Sequence, residues 1–329
     1  MKNFKTIRTT FLASVLLCLG LTSCNDDDVA TVVTPPTIVD NTIAARAIAN
    51  PNLTILVAAL TKTNLVATLQ STGPFTVFAP TDVAFTAAGV SVASINASTP
   101  AQVASLKEIL LNHVISGSKT AAQLTNNEYL RTLSTGLASA TNKLSMHVSK
   151  VGAVVKLNNN AVVTAADVSA SNGVIHVVDK VITAPTIVDL VAANTDFSSL
   201  VGNLSTNLVA TLKTTGPFTV FAPNNPAFAS LTTELAAIPL VPNPTQLENV
   251  LKYHVVNGNY LESALSTVVA AGPTSTLLAS QTFTVALTPA RITGTYSPTR
   301  MASKITATDI QANNGVIHVL DKVLLPATF

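Results

Sequence analysis

The chain contains one long motif twice. The nine residues Thr72–Pro80 recur without change at Thr215–Pro223, an offset of 143 residues. A second pair follows, in which Asn172–Ile182 (NGVIHVVDKVI) matches Asn314–Leu324 (NGVIHVLDKVL) at an offset of 142. A period of this length is that of a whole domain, because solenoid repeats run to roughly 20–50 residues. The sequence therefore predicts two copies of one globular module.

Length and composition agree with two folded domains. The chain has 329 residues, and at about 150 residues per domain each half can bury a core of its own. Hydrophobic residues make up 48% of the chain and charged residues only 10%. Because disorder requires low hydrophobicity and high charge, this composition excludes a disordered chain.

The N-terminus has the pattern of an export signal. Lys2, Lys5 and Arg8 precede the apolar stretch Phe11–Leu21, which has 11 residues. A membrane-spanning helix needs about 20 apolar residues, so this stretch is too short to be an anchor. We predict a signal peptide over residues 1–23.

The signal ends in Leu21-Thr22-Ser23-Cys24, which resembles the bacterial lipobox. In such signals, cleavage before the cysteine leaves it as the lipidated N-terminus, and several acyl chains give stable anchoring. We predict lipid attachment at Cys24. The alternative is an ordinary secretory cleavage site beside a chance cysteine.

Residues 24–36 are predicted to form a linker. The acidic run Asp26–Asp28 is either a solvated start of this linker or resembles the surface-export signal of some Gram-negative lipoproteins. Pro35-Pro36 makes its end semi-rigid. We predict a cell-envelope protein, anchored by lipid at the outer-membrane surface.

Removing the signal changes the charge and the thiol content. The three basic residues of 1–23 leave 15 basic and 16 acidic residues, so the formal charge of +2 becomes −1. Nucleic-acid binding normally needs a concentrated basic face and is not expected. With Cys18 removed and Cys24 blocked, no disulfide, thiolate metal site or cysteine nucleophile is available.

The module mixes helices and strands. Phe75–Ala79 is typical of a buried strand, and Thr81 is placed to cap the following helix, as Asn224 is in the second copy. Thr99-Pro100 and Asn243-Pro244 each indicate an N-cap followed by an N1 proline.

The two domain starts are expected at Thr37–Asp40 and Thr186–Asp189, which share the letters TIVD. On this matching, Thr37 lies 36 residues before Gly73 whereas Thr186 lies 30 before Gly216. The extra six residues predict a loop insertion near Asn50-Pro51.

Alternating residues indicate strands in both copies. Leu144, Met146 and Val148 share one face, as do Phe283, Val285 and Leu287. His147 falls on the polar side of this alternation and has no counterpart in the second copy. We expect His147 to be exposed.

Three motifs in fixed order identify a family resemblance. They are Thr-Val-Phe-Ala-Pro-x-x-x-Ala-Phe, a helix ending in His113-Val114 or His254-Val255 before a nearby glycine, and the closing Asn-Gly-Val-Ile-His-Val-x-Asp-Lys-Val. Together they resemble the fasciclin domain, over residues 37–184 and 185–329. The resemblance implies an α+β fold with two tandem domains, each a two-sheet β-wedge flanked by helices. It also implies an extracellular or membrane-anchored protein acting in adhesion, matrix assembly or surface interaction without enzymatic activity.

The repeated histidines are interpreted as structural. A paired metal or acid–base site is the alternative, but no His-x-x-x-His or Glu-x-x-His spacing accompanies them. We expect core histidines that join helix to strand through hydrogen bonds, with no catalytic residue, metal or cofactor. The four are His113, His176, His254 and His318.

Asp179-Lys180 and Asp321-Lys322 are expected within strands, pointing to opposite faces, with Asp179 accepting from backbone donors. No Gly-x-Ser-x-Gly, phosphate-binding or dinucleotide motif occurs in the sequence.

One basic patch occurs only in the second copy. It is either a solvated loop or a loop that binds an acidic polysaccharide or a partner protein through cationic and stacking contacts. Its residues are Arg291, Tyr296, Arg300 and Lys304.

Two functions fit these observations. The first is a lipid-anchored surface protein that binds extracellular matrix, polysaccharide or a cell-surface protein, with avidity from its two domains. The alternative is a small-ligand or lipid carrier or scaffold of a surface uptake complex. A large apolar cavity within one domain would favour the carrier.

Overall fold

The protein is described by a computed structural model over residues 40–236, 243–265, 274–287, 290–295 and 302–327. Residues 40–329 form one compact unit. In the first half, the helices are α1 (Ile43–Ile48), α2 (Thr54–Lys62), α3 (Val66–Gln70), α4 (Asp82–Ala87), α5 (Val92–Asn96) and α6 (Pro100–Leu111). Its strands are β1 (Phe75–Pro80), β2 (Val114–Ser116), β3 (Glu128–Gly136), β4 (Ser139–Val151), β5 (Val154–Leu157), β6 (Ala161–Ala170) and β7 (Gly173–Val178).

The second half repeats this order of elements. Its helices are α7 (Ile187–Ala193), α8 (Ser198–Gly202), α9 (Thr206–Leu212), α10 (Asn225–Ala236) and α11 (Pro244–Tyr253), with a 3₁₀ turn at Thr195–Phe197. Its strands are β8 (Phe218–Pro223), β9 (Val255–Asn257), β10 (Thr274–Ser275), β11 (Thr282–Leu287), β12 (Ala290–Thr293), β13 (Ser303–Ala312) and β14 (Gly315–Leu320). The predicted α+β fold class is confirmed.

The motif that is identical in the two copies, Thr72–Pro80 and Thr215–Pro223, contains the central strand of each half. β1 runs parallel to β7 and antiparallel to β2, and β8 has the same two neighbours in β14 and β9. In the first half the strands close into a ring in the order β1 to β7, and in the second they run β10-β11-β12-β13-β14-β8-β9. Both central strands are buried on both faces, with every residue from Thr76 to Pro80 and from Phe218 to Pro223 buried.

The described residues of the first half form two apolar cores, and those of the second half form three. In the first half, one core lies between the helices and β1, and includes Leu56, Leu60 and Phe85. The other lies between strands and includes Phe78 and Met146. Neighbouring residues of β1 therefore serve opposite cores, since successive side chains of a strand point to opposite faces.

In each domain, the asparagine of the Asn-Gly turn connects the last β-hairpin to the start of the first helix by hydrogen bonds. Asn172 is buried, its Oδ1 accepts from the backbone N–H of Ile43, and its Nδ2 donates to the carbonyls of Leu69 and Ser71. Gly173 follows with φ +152°, and a Cβ there would lie 1.9 Å from the carbonyl oxygen of Phe75. The position therefore requires glycine.

The equivalent bonds of Asn314 correct the predicted matching of the domain starts. Its Oδ1 accepts from the N–H of Ile187, so Ile187 is the counterpart of Ile43 and Thr186 is that of Thr42, not of Thr37. Thr42 lies 31 residues before Gly73, and Thr186 lies 30 before Gly216. The predicted six-residue insertion near Asn50 is wrong, because the shared letters TIVD are not structurally equivalent.

The predicted caps are confirmed. Thr99 and Asn243 each accept a hydrogen bond at the start of a helix whose first residue is proline. Thr81 and Asn224 cap the helices that follow the central strands.

The predicted strand position of Asp179 is wrong, because β7 ends at Val178. Asp179 lies just beyond the strand, where its Oδ1 accepts from the N–H of Val162 at 2.7 Å. Asp321 likewise follows β14 and accepts from the N–H of Lys304 at 2.7 Å. Each aspartate thus adds a side-chain hydrogen bond where the backbone hydrogen bonds of its strand pair end.

Candidate functional site

The histidines at the ends of α6 and α11 connect these helices to the end of each domain. In His113, Nδ1 donates to the carbonyl of Ile109 at 2.7 Å and Nε2 accepts from the N–H of Ile182 at 2.8 Å. In His254, Nδ1 donates to the carbonyl of Val250 at 2.7 Å and Nε2 accepts from Leu324 at 2.9 Å. Both rings are buried and have both nitrogens occupied by backbone.

The histidines of β7 and β14 make an equivalent pair of contacts. Nε2 of His176 donates to the carbonyl of Lys119 at 2.9 Å, and its Nδ1 accepts from the N–H of Asp167. His318 bonds in the same way to Tyr260 and Asp309. Each ring stacks on the phenylalanine of the neighbouring central strand, with centroids 5.4 Å apart.

These contacts occupy both nitrogens of all four rings with backbone groups. Burial lowers the pKa of His113 to about 4 and also lowers the pKa of His318. Within the described part of the chain, no three His, Cys, Asp or Glu side chains are grouped so that they could hold a metal ion.

The two halves meet through the β3–β4 hairpin. The hydroxyl of Tyr129 donates to the carbonyl of Leu190 at 3.4 Å and accepts from Nδ2 of Asn194 at 3.1 Å. Ser145 of β4 accepts from the N–H of Gln311 in β13 at 3.0 Å. The hairpin thus contacts both the first helix and the last hairpin of the second half.

The hairpin tip is bonded to one asparagine. The N–H groups of Leu137 and Ala138 donate to Oδ1 and to the carbonyl of Asn313, at 3.0 and 2.9 Å. At Gly136, a Cβ would lie 2.9 Å from Cα of Asn313, so the close approach depends on glycine.

His147 lies in this contact region, and the prediction that it is exposed is wrong. Its side chain is 0% exposed, because the second half packs over the polar side of β4 and also buries Ser145. The His147 ring contacts Tyr129 at a centroid distance of 5.1 Å, and neither ring nitrogen has a hydrogen-bond partner among the described residues. Burial lowers the pKa of His147 to about 4.

A cleft of about 310 Å³ opens beside this contact region. It lies between the β5–β6 turn, the linker between the halves and α7. Its lining combines three consecutive amides with small aliphatic side chains and one carboxylate. The lining residues are Leu157, Asn158, Asn159, Asn160, Ala161, Ile182, Thr183, Pro185, Asp189, Ala192 and Ala193. Sequence analysis missed this cleft, because nothing in the Asn158–Asn160 run indicates that α7 faces it.

Two residues of the predicted basic patch are neighbours. Arg291 and Lys304 are direct partners across β12 and β13, so their side chains lie on one face. Among the residues that the structure describes, neither forms an ion pair and Nε of Arg291 is buried without a partner. Tyr296 and Arg300 lie outside the described residues. In the first half, Lys156 faces the apolar Val162 at the equivalent place.

An apolar cavity in the second half is small. It lies between α7, α9 and β8, is lined by residues such as Leu200, Leu208 and Phe221, and has a volume of about 20 Å³. Ligand pockets for small molecules generally have about 300–1,000 Å³. This cavity has room for roughly one water molecule, not for a lipid chain.

The structure also bears on membrane attachment. Among the residues it describes, no helix is both long and apolar enough to cross a bilayer. The predicted lipid site, Cys24, lies outside the described residues.

Fold and site together define a tandem pair of α+β domains whose repeated polar groups bond to their own backbone. The Fasciclin domain model matches residues 51–184 and again 195–326, and the chain belongs to the fasciclin domain family. This confirms the resemblance seen in the motifs.

Similar proteins occur in bacteria and animals. Protein sll1483 of Synechocystis is 40% identical over 144 residues, which cover 44% of this chain and 74% of that protein. Transforming growth factor-beta-induced protein ig-h3 of Sus scrofa is 29% identical over 231 residues, 69% of this chain but only 31% of the longer relative. A solved FAS1 domain pair from the insect cell adhesion molecule Fasciclin I aligns over 82% of this chain and 92% of its own, with 20% identity and a TM-score of 0.46.

Proposed function

We propose that this protein is a lipid-anchored, non-enzymatic surface protein that binds extracellular matrix, polysaccharide or a protein of another cell surface. The observation that carries the proposal is the family membership of both halves. Fasciclin domains are expected to act in adhesion and surface interaction, although a fold family alone does not fix a ligand. Attachment through Cys24 would place both domains outside the cell, at the outer-membrane surface.

The contacts of the repeated histidines support a non-enzymatic role. A general base needs a ring nitrogen that can reach a substrate proton. In His113, His176, His254 and His318 both nitrogens bond to backbone groups inside the fold. These residues therefore serve as links between helix and strand in this proposal.

The docked pair supports binding by two domains together. The β3–β4 hairpin bonds to Leu190, Gln311 and Asn313, so the two domains present their surfaces in a fixed relation. Two weak sites on one such unit gain effective concentration if the partner's spacing matches. The cationic pair Arg291 and Lys304 is a candidate partner-binding surface, together with Tyr296 and Arg300 of the same basic patch.

The carrier alternative has less support. A cavity of about 20 Å³ cannot enclose an acyl chain or a small ligand. The larger cleft is open and has amide groups along one wall, so it does not suit a lipid.

The test is binding of the full chain, inserted in lipid vesicles, to immobilised matrix proteins and polysaccharides. We expect selective retention on at least one surface, with vesicles lacking the protein as the control. An Arg291→Ala/Lys304→Ala variant reports whether the cationic pair contributes to binding. Vesicles that pass every surface at the rate of the protein-free control would contradict the proposal.

A further inference from the structure

We propose that the cleft between the two domains binds a neutral saccharide of one or two sugar rings. This inference rests on the proposed function, and names a ligand class and a place for it. The cleft exists only where the halves meet, since the β5–β6 turn comes from the first and α7 from the second. Its volume of about 310 Å³ lies at the lower end of the range for small-molecule sites, about 300–1,000 Å³.

The polar wall offers paired donors and acceptors. Asn159 is exposed, and its amide has no hydrogen-bond partner in the described protein. Asn160 uses only its Oδ1, which accepts from Nζ of Lys180 at 3.1 Å, so its NH₂ group remains available. A carboxamide presents a donor beside an acceptor, and a sugar hydroxyl is itself both donor and acceptor. Adjacent amides therefore suit adjacent hydroxyls.

The opposite wall adds one acceptor. Asp189 uses Oδ2 to accept from the N–H and hydroxyl of Thr186, at 2.9 and 2.7 Å. This capping interaction fixes the carboxylate and leaves Oδ1 to accept from a ligand hydroxyl. A hydrogen bond to a charged acceptor is stronger than one between neutral groups.

The rest of the cleft is apolar and flat enough for the C–H face of a ring. Ile182, Pro185, Ala192 and Ala193 supply aliphatic surface, and the two alanines of α7 leave room that larger side chains would fill. A sugar ring has polar hydroxyls at its edge and aliphatic C–H groups on its faces, and this cleft has matching amides and methyl groups.

The lining disfavours other ligand classes. Asp189 is the only charged residue among the lining residues, so the lining has no cationic side chain to pair with an anionic polysaccharide. A lipid would leave the amides unpaired. A peptide added as a strand needs a free sheet edge, and the cleft is formed by a turn, a linker and a helix.

The experiment measures binding of neutral disaccharides to the full chain in a detergent without sugar groups. The probes are cellobiose, lactose and N,N′-diacetylchitobiose, with heparin and an uncharged peptide for comparison. Binding of each probe is measured by calorimetry. We expect at least one disaccharide to bind. Asn159→Ala should weaken binding about tenfold, as for one lost hydrogen bond, and Ala192→Trp should abolish it by filling the cleft.

Two matched variants serve as controls. Asn207→Ala and Ala210→Trp change an exposed asparagine and an exposed helical alanine of α9, away from the cleft, and should bind like the unmodified protein. Unfolding curves show whether each variant is folded.

The outcomes separate this inference from the proposed function. Disaccharide binding that survives Ala192→Trp, or no disaccharide binding at all, overturns the cleft assignment. Peptide binding that Ala192→Trp blocks would assign the cleft to a peptide and overturn the saccharide. If disaccharides fail but the vesicles still bind a matrix surface, only the cleft assignment fails. If both fail, the proposed function fails as well.

Discussion

At the scale of single residues, the repeated histidines connect parts of the fold that no apolar side chain could connect. His318 bonds to Tyr260 and Asp309 and stacks on Phe221. His318→Ala removes both bonds and leaves two buried backbone groups unpaired. We expect a loss of about 1–3 kcal/mol in the free energy of unfolding, measured by urea denaturation.

His176→Ala is the matched variant, because His176 makes the same contacts in the first domain. Both substitutions should cost a similar amount, and an unchanged unfolding curve for either would mean that the ring is not structural.

Histidine burial also predicts a pH dependence of stability. The pKa of His147 and that of His113 are each lowered from 6.5 to about 4, so between these values the unfolded chain binds more protons than the folded one. Stability is therefore complete above pH 6.5 and falls as the pH drops toward 4, by on the order of 2–3 kcal/mol for each group. Urea denaturation between pH 7 and pH 4 measures this loss.

His147→Leu isolates one of the two contributions. The His147 ring makes no hydrogen bond to the described residues, so leucine removes its titration without leaving a side-chain partner unpaired. The variant should lose less stability between pH 7 and pH 4 than the unmodified protein. Equal losses in both would show that His147 is not held neutral by the contact between the halves.

His147 also marks a limit of sequence analysis. Its neighbours Met146 and Val148 were correctly predicted as one buried face, because alternation reports which side of a strand faces its own core. The other side of β4 looks polar, with Ser145 and His147, yet both are buried. A second domain covers that side, and alternation within one strand contains no information about a neighbouring domain.

At the scale of elements, the long β3–β4 hairpin is the link between the domains. Its counterpart in the second half is described at β10 (Thr274–Ser275) and β11 (Thr282–Leu287). The strand motifs and helix caps could be predicted from sequence, since strand patterning and capping depend on local residues. The docking of the hairpin could not, because its tip contributes only backbone N–H donors to Asn313, and any sequence has these.

Gly136→Ala tests the role of the hairpin tip. The new Cβ would lie 2.7 Å from Cδ2 of Leu144 and 2.9 Å from Cα of Asn313, so the tip must move away. We expect a loss of about 1–3 kcal/mol and faster hydrogen exchange at the amides of Leu137 and Ala138.

Gly202→Ala is the control for this substitution, because a Cβ at Gly202 meets nothing within 4 Å. If Gly136→Ala exchanges its tip amides no faster than Gly202→Ala does, the hairpin tip is not what holds the domains together.

Across the whole molecule, the two copies differ at positions that the contact between the halves buries in the second copy and leaves exposed in the first. Leu190 of α7 is buried against the hairpin, whereas Arg46 holds its place in α1 and is exposed. Ile310 of β13 is 5% exposed, whereas its counterpart Val168 is 39% exposed. Comparison of the copies thus contains a signal for the interface at Leu190, whose counterpart Arg46 is charged, but none at Ile310, whose counterpart Val168 is also apolar. The signal becomes readable once the copies are matched through Asn172 and Asn314.

The proposed lipid anchor would decide where the pair of domains acts, and it is tested at Cys24. If lipid on this residue holds the protein, Cys24→Ala should move it from the membrane fraction to the soluble fraction, because the signal Phe11–Leu21 is too short to span a bilayer. Fractionation of cells expressing each form, followed by mass measurement of the mature N-terminus, gives the result. Cys18→Ala is the matched control, since that cysteine lies within the predicted signal and its loss should leave the protein in the membrane fraction. Retention of the Cys24→Ala protein in membranes would refute lipid anchoring and leave partner binding as the means of attachment.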